Sequence, residues 1–258
     1  MKNRFNEYPF SALVLIALAV VLMVIMLITN RGDITSATLV IAACACFFAG
    51  IFTLTFSQDE GVNRKMVPLL SVASMVNHSR VCADLGISGN ACTIPAENYS
   101  PADVAQFNPV SPDDLPTEIS ENITYYTGSN EKGLLSVPAG AYLLRMLEKD
   151  FSFMIPGEEV ALFEAIQDVL CDSLEVCTSA SLSRSGESVV AELTGYALFQ
   201  GCMAVREESP KCCTLAPCPV CSLVLCILTK GMQKRYTLQS VVVDNAKKKV
   251  ELVIVECS

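Results

Sequence analysis

Two apolar runs stand almost back to back near the start of this chain. Phe10 to Thr29 (FSALVLIALAVVLMVIMLIT) is twenty residues without a charge, and Thr35 to Phe56 (TSATLVIAACACFFAGIFTLTF) is twenty-two more. A helix satisfies its own backbone polar groups, and about 20 helical residues cross a hydrocarbon core. Each run therefore meets the length and polarity of a transmembrane span. The first does not read as a secretory signal: its apolar part is too long, no small-residue cleavage site follows, and a second span comes at once. Only Asn30 to Ile34 (NRGDI) lies between them, so the spans form a helical hairpin with both flanks on one side. Lys2 and Arg4 precede the hairpin and Arg64, Lys65 and Arg80 follow it, against the single Arg31 of the connection. The positive-inside rule then places both flanks in the cytoplasm, in a multi-pass, integral protein of the cell membrane. Sequons at Asn77, Asn98 and Asn122 carry weight only for a body on the outside.

Beyond residue 56 the chain keeps 15 basic and 25 acidic residues, a net charge of −10. Such a body is repelled by phosphates, and no basic stripe with interleaved aromatics offsets that, so nucleic acid is excluded as a partner. The 13 cysteines do not suit a secreted disulfide scaffold, which is short and poor in core. Adjacent Cys212 and Cys213, and the spacing Cys218-Pro-Val-Cys221, read as reduced thiols facing the cytosol.

The body reads as an α+β domain. Val67 to Leu85 has a helical apolar stripe with Gly86 as its cap, and His78, the only histidine, falls on its polar face as a solvated side chain. Residues 95–122, with five prolines and a run of carboxylates, read as a loop or linker. Ile123–Thr127 and Leu134–Val137 form a hairpin, and Gly140–Lys149 a short helix. A second helix starts near Pro156 with Val160, Phe163, Ile166, Val169 and Leu170 inward. Leu174–Leu182 and Glu187–Thr194 alternate apolar and polar residues around a turn at Ser183–Gly186. After a further loop, Cys218 to Leu228 is apolar all round, with Pro217 at its first turn and Lys230 and Gly231 at its end. At eleven residues it is too short to span a bilayer, so it is a core helix. Arg235–Asp244 and Lys248–Cys257 close the chain as a strand pair turning at Asp244–Lys247. One-sided alternation predicts an antiparallel sheet covered by helices. The expected domains are a transmembrane helical hairpin (1–56), a helix and Pro/Asp-rich linker (57–122) and an α+β ligand-binding-like domain (123–258).

The order from Gly140 to Glu256, carried by GAYLLRMLEK, LSRSGESVVAEL and CPVCSLVLCILTKGMQKRYTLQSVVVD, resembles the small-ligand domain of vinyl-reductase-type sensors and of core subunits of the transport protein particle. The hairpin, ACTIP and GLLSVPAGAYLL are similar to an uncharacterised family of archaeal two-span membrane proteins. The first resemblance implies a buried apolar small molecule or acyl chain between sheet and helices. It also implies, in some members, zinc held by a cysteine before the last long helix and by ligands around the terminal strand pair. Cys212, Cys213, Cys218 and Cys221 match the first part of that set, whereas Tyr236–Glu251 contains no cysteine.

Those four cysteines are the candidate site. Four thiolates could hold zinc or an iron–sulfur cluster. A thiol at a helix N-terminus also has a lowered pKa, which makes Cys218 a redox candidate. The competing reading is packing, the ordinary role of buried cysteine and the one that Cys44, Cys46 and Cys226 suggest. No catalytic set accompanies them: one histidine cannot supply a triad beside a distant nucleophile, and there is neither a phosphate-binding loop nor a dinucleotide fingerprint. The sequence thus predicts a membrane-anchored cytosolic binding or sensor module, or a scaffold acting through protein contacts, including a homodimer, rather than an enzyme. Protease added to intact cells should leave residues 57–258 whole. Digestion of that segment, or a glycan on Asn98 or Asn122, would reverse the orientation.

Overall fold

The computed structural model of the protein describes residues 7–29, 34–57, 66–120, 123–129 and 131–257. Two compact units result, Met1–Asn63 and Arg64–Ser258. The connection at 30–33, Asn122 and the basic flanks Lys2, Arg4, Arg31, Arg64 and Lys65 lie outside the described residues.

The first unit is two packed helices, α1 (Glu7–Thr29) and α2 (Ile34–Ser57). Phe10–Ile28 and Ala37–Thr55 are each long and apolar enough to cross a membrane. Small residues line the seam: Ala12 and Ala19 on α1, Ala43 and Gly50 on α2, each pair seven residues apart and so on one helix face. A Cβ on Gly50 would stand 2.7 Å from Ile16 Cγ1, so glycine lets the helices come close. Phe10, Leu27, Ile28, Ile41 and Phe52 point outward, leaving an apolar surface. The Thr53 and Thr55 hydroxyls donate to Ala49 O and Ile51 O at 2.8 Å each, which hides their polarity within the helix.

The second unit opens with a 3-10 turn at Val67–Leu69 and α3 (Val72–Asp84). Gly86, at φ +72°, ends that helix as its sequence predicts. There follow β1 (Cys92–Pro95), β2 (Val104–Pro109), β3 (Tyr125–Thr127) and β4 (Lys132–Ser136), then α4 (Ala141–Asp150) and α5 (Glu159–Asp168). A wider π turn at Val169–Ser173 leads to β5 (Ser179–Ser185) and β6 (Ser188–Thr194). The chain continues through α6 (Phe199–Glu208), α7 (Cys212–Leu215) and α8 (Pro219–Met232), and ends in β7 (Tyr236–Asp244) and β8 (Lys249–Glu256). All eight strands join one sheet in the order β3-β4-β2-β1-β7-β8-β6-β5, antiparallel at every step.

The expected strand pairs are present, but the strand expected over Leu174–Leu182 begins only at Ser179, because Leu174 caps the π turn and Glu175 takes left-handed backbone (φ +49°). β6 buries Val189, Ala191 and Leu193, and β8 buries Val250, Leu252 and Ile254, the period-2 pattern of a sheet with one face on the core. Gly186 at φ +62° makes the β5–β6 turn. Asp244 Oδ1 accepts from the amides of Ala246 (2.9 Å) and Lys247 (3.2 Å), which shapes the β7–β8 turn.

Three expectations are corrected. Residues 95–122 are not all loop: β2 lies there, buried along its whole length, so 92–109 and 123–256 share one sheet. The loop before the core helix holds α6 and α7. The core helix itself begins one residue pair later than its composition suggests, with Cys218 as N-cap and Pro219, not Pro217, in the first turn. It also runs through Gly231 to Met232, and Gln233 takes the left-handed conformation at its end. Gly231 serves packing instead, since a Cβ there would stand 2.7 Å from Leu162 of α5.

Helix α8 lies in the main core, with Leu225 1% exposed among Val189, Leu238 and Leu252, and Val176 packed at the edge. Its tie to α4 is close: Gly140 N–H donates to Ser222 Oγ at 3.0 Å, and a Cβ on Gly140 would collide with the backbone of Ser222 and Leu223. Leu225→Ala should therefore cost about 2–5 kcal/mol in chemical denaturation. Gly140→Ala should cost about 1–3 kcal/mol by overpacking. A loss under roughly 1 kcal/mol at both would place the stabilising core elsewhere.

Candidate functional site

Helix α8 begins where its apolar run meets two thiols. Cys218 has the extended backbone of an N-cap (φ −62°, ψ 161°), and its Sγ accepts from Cys221 N–H at 3.4 Å. Tyr196, 3% exposed, sets its hydroxyl 3.8 Å from the same sulfur. Cys218 thus takes the place that a serine or aspartate oxygen fills at most helix starts.

The environment separates these groups. The Cys218 thiol is lowered to about 6, first by the hydrogen bond from the Cys221 thiol, then by the amides of the helix start and the Tyr196 hydroxyl, against the cost of burial. Cys221, as that donor, is pushed well up, with burial adding to the shift. Burial, with a smaller contribution from charge on Cys218, pushes Cys202 up and moves Cys213 to about 11. Tyr196 is raised well above the ordinary phenol range by burial and then by the thiols around it.

A cavity of about 300 Å³ opens at this helix start. Its walls are almost wholly apolar: Val67 and Val72 from the first turns of the unit, Leu174 and Val176 ahead of β5, Leu198 before α6, and Val241 of β7. Cys218, Cys221 and the Tyr196 ring lie in the same wall. Gly201 of α6 comes so close to Pro68 O that no Cβ fits between, which fixes the Val67–Leu69 turn over one side of the cavity. Clefts of about 320 and 500 Å³ elsewhere on the unit are lined by mixed polar side chains such as Lys211 and Glu256, or Glu97 and Arg235.

The four cysteines singled out by spacing take different places. Cys218 and Cys221 stand together at the cavity; Cys213 lines it from α7. Cys212 packs with Met75, Val205 and Ala216. Among the described residues no three His, Cys, Asp or Glu side chains are grouped so as to hold a metal ion; Cys202 of α6 lines the cavity as well. Cys226 is fully buried in the main core.

Other polar residues here were not evident in the sequence. Tyr196 shows no motif and is brought in by the turn after β6. His78 is half-buried rather than solvated, with Nε2 3.2 Å from Asn108 Oδ1. That oxygen also accepts from Gln106 Nε2 (3.0 Å), and Asn108 Nδ2 donates to Leu215 O at 2.7 Å. The cluster fastens α3 and α7 to β2, close to the cavity's α3 wall, and its hydrogen bonds make it a structural tie.

A small neutral alkylating reagent tests the helix start. Thiolate forms as pH rises through the lowered value and is lost as pH falls through it, so labelling of Cys218 should be half-maximal near pH 6. Cys202, Cys213 and Cys221 should stay unlabelled in the same peptide maps at neutral pH. Cys218 labelling that begins only above about pH 8 would mean an ordinary thiol.

A family model described as a domain of unknown function (DUF7982) matches residues 1–253. No curated protein and no solved structure matches the chain. Nearly the whole chain is covered, hairpin and sheet together, and the chain belongs to that family.

Proposed function

We propose that this member of the DUF7982 family is a membrane-anchored binding or sensor module. Its hairpin sits in the bilayer, its second unit faces the cytoplasm, and the cavity at the head of α8 takes an apolar small molecule or acyl chain. The observation that carries this reading is the cavity. At about 300 Å³ it reaches the lower end of the roughly 300–1,000 Å³ range of small-molecule sites, and it shares their apolar lining with few polar groups. An apolar concavity of this kind gains by exchanging its water for hydrocarbon.

Three further features support the reading. In sequence, residues 58–66 alone lie between the end of α2 and Val67, the first residue of the cavity wall. The outward side chains of α1 and α2 give a surface suited to lipid. The resemblance of residues 140–256 to small-ligand domains points to an apolar ligand as well.

The test uses the full chain purified in mild detergent. Organic extraction followed by mass spectrometry should release one apolar species in stoichiometric amount. Val72→Trp, which adds a large ring to the cavity wall from a half-buried position, should deplete that species while circular dichroism stays unchanged. An empty wild-type chain that also fails to retain added apolar probes would favour a scaffold acting through protein contacts.

A further inference from the structure

The thiol pair at the head of α8 is built differently from the other cysteines. Cys218 and Cys221 are three residues apart at a helix start, where side chains at that spacing meet on one face. One sulfur already accepts the other residue's N–H at 3.4 Å, and both line the cavity. A third polar group, the Tyr196 hydroxyl, sits 3.8 Å from Cys218 Sγ in the same wall. The rest of the lining has no charge to offer a polar substrate.

We propose that Cys218 and Cys221 form a dithiol–disulfide couple that reduces an apolar, quinone-type ligand held in the cavity. This rests on the reading of the cavity as an apolar ligand site and adds the class of ligand and the reaction. The Cys218 sulfur attacks a ring carbon of the quinone, and the ring electrons move onto a carbonyl oxygen. The Cys221 sulfur then attacks Cys218 Sγ; the S–S bond forms as the S–C bond breaks, and that electron pair stays on the ring. The pair loses two electrons and the proton of Cys221. The quinone gains both electrons, that proton and a second one from solvent, and leaves as hydroquinone. Tyr196 is the group placed to donate a hydrogen bond to the ring oxygen during this change. A hydrophilic disulfide is a poor alternative oxidant, because its charged groups would face Val67, Leu174, Val176 and Leu198 without partners.

The experiment uses the full chain in detergent, reduced, freed of reductant and kept from air. The probe is a fully substituted benzoquinone bearing a decyl tail, which has no ring position open to stable thiol addition. Loss of quinone absorbance, quinone retained on gel filtration, and acid-quenched peptide mapping are the three readouts. Consumption of one equivalent of quinone with a Cys218–Cys221 disulfide is the expected result. Both should be lost in Cys218→Ser, whose serine is itself a good N-cap and keeps the helix start. Val72→Trp should lose retention and oxidation together.

Quinone retained without any disulfide would overturn the redox couple and leave the cavity reading standing. Neither retention nor oxidation would remove both. A disulfide mapped instead to Cys171 and Cys177, whose sulfurs lie 3.5 Å apart, would overturn the assignment to α8. So would oxidation by a water-soluble disulfide as fast as by the quinone, since the cavity would then not select the oxidant.

Discussion

The second unit depends on one helix whose middle is kept from water. From Val220 to Thr229 every side chain of α8 is buried, and Leu223, Val224, Leu225, Ile227 and Leu228 alone bring five large aliphatic groups inside. Each such burial contributes roughly 1.5–3 kcal/mol, which makes this helix a large apolar contribution to the unit. Its few polar atoms serve as ties. Ser222 Oγ takes the Gly140 amide, Thr229 Oγ1 donates to Thr93 O at 3.4 Å, and Lys230 ends the buried run with Glu148 at 2.8 Å and Asp103 at 3.3 Å. A helix apolar on all sides needs cover on all sides, and α4, α5 and the sheet provide it.

That requirement explains the sheet. Its two halves, β3-β4-β2-β1 and β7-β8-β6-β5, meet only where Cys92 pairs Thr237 and Thr93 pairs Tyr236. So short a joint is reinforced by Thr237 Oγ1 donating to Ala91 O at 2.9 Å, and by α8, which touches β1, β2 and β7 together. The first half also carries a small core of its own, where Phe107 and Tyr126 meet edge-on at 5.5 Å. β2 is consequently buried on both faces, with Val104 in the main core and Ala105 and Phe107 in the small one.

Burial on both faces is why β2 was illegible. Alternation marks a strand only when one face is wet, and VAQFNP mixes apolar residues with a glutamine bonded to an asparagine whose other partners, His78 and Leu215 O, lie far away in sequence. The strands β6 and β8, with one face on the core, alternate and were readable residue by residue. The turns at Gly186 and at Asp244 declared themselves through turn-forming residues, Ser-Gly in the first and Asp-Asn in the second. Long apolar α1, α2 and α8 needed only composition. The α6 helix had no such signal: FQGCMAVREE carries a glycine and a charged end, and its burial is dictated by the Val67–Leu69 turn lying over Gly201. For the site, the Cys-Pro-Val-Cys spacing was visible, but the walls come from residues 67–75, 174–176, 196–205 and 241, which only the fold brings together.

The same chain shows why cysteine count alone says little about chemistry. Cys218 and Cys226 are eight residues apart on one helix, yet they sit in opposite conditions. Cys226 is enclosed by aliphatic side chains, and burial pushes its thiol up to about 12, so it behaves as a small hydrophobe. Cys218 lies at the N-terminal end of α8, half-buried beside the cavity. There the free amides of a helix start, which any helix must satisfy somehow, are met by sulfur rather than by oxygen. Covering the apolar body of α8 leaves its polar N-terminus at the edge of the core, and the turn at Val67–Leu69 roofs that edge without filling it. The lowered Cys218 thiol and the apolar cavity are therefore two results of one packing problem, set where the helix begins.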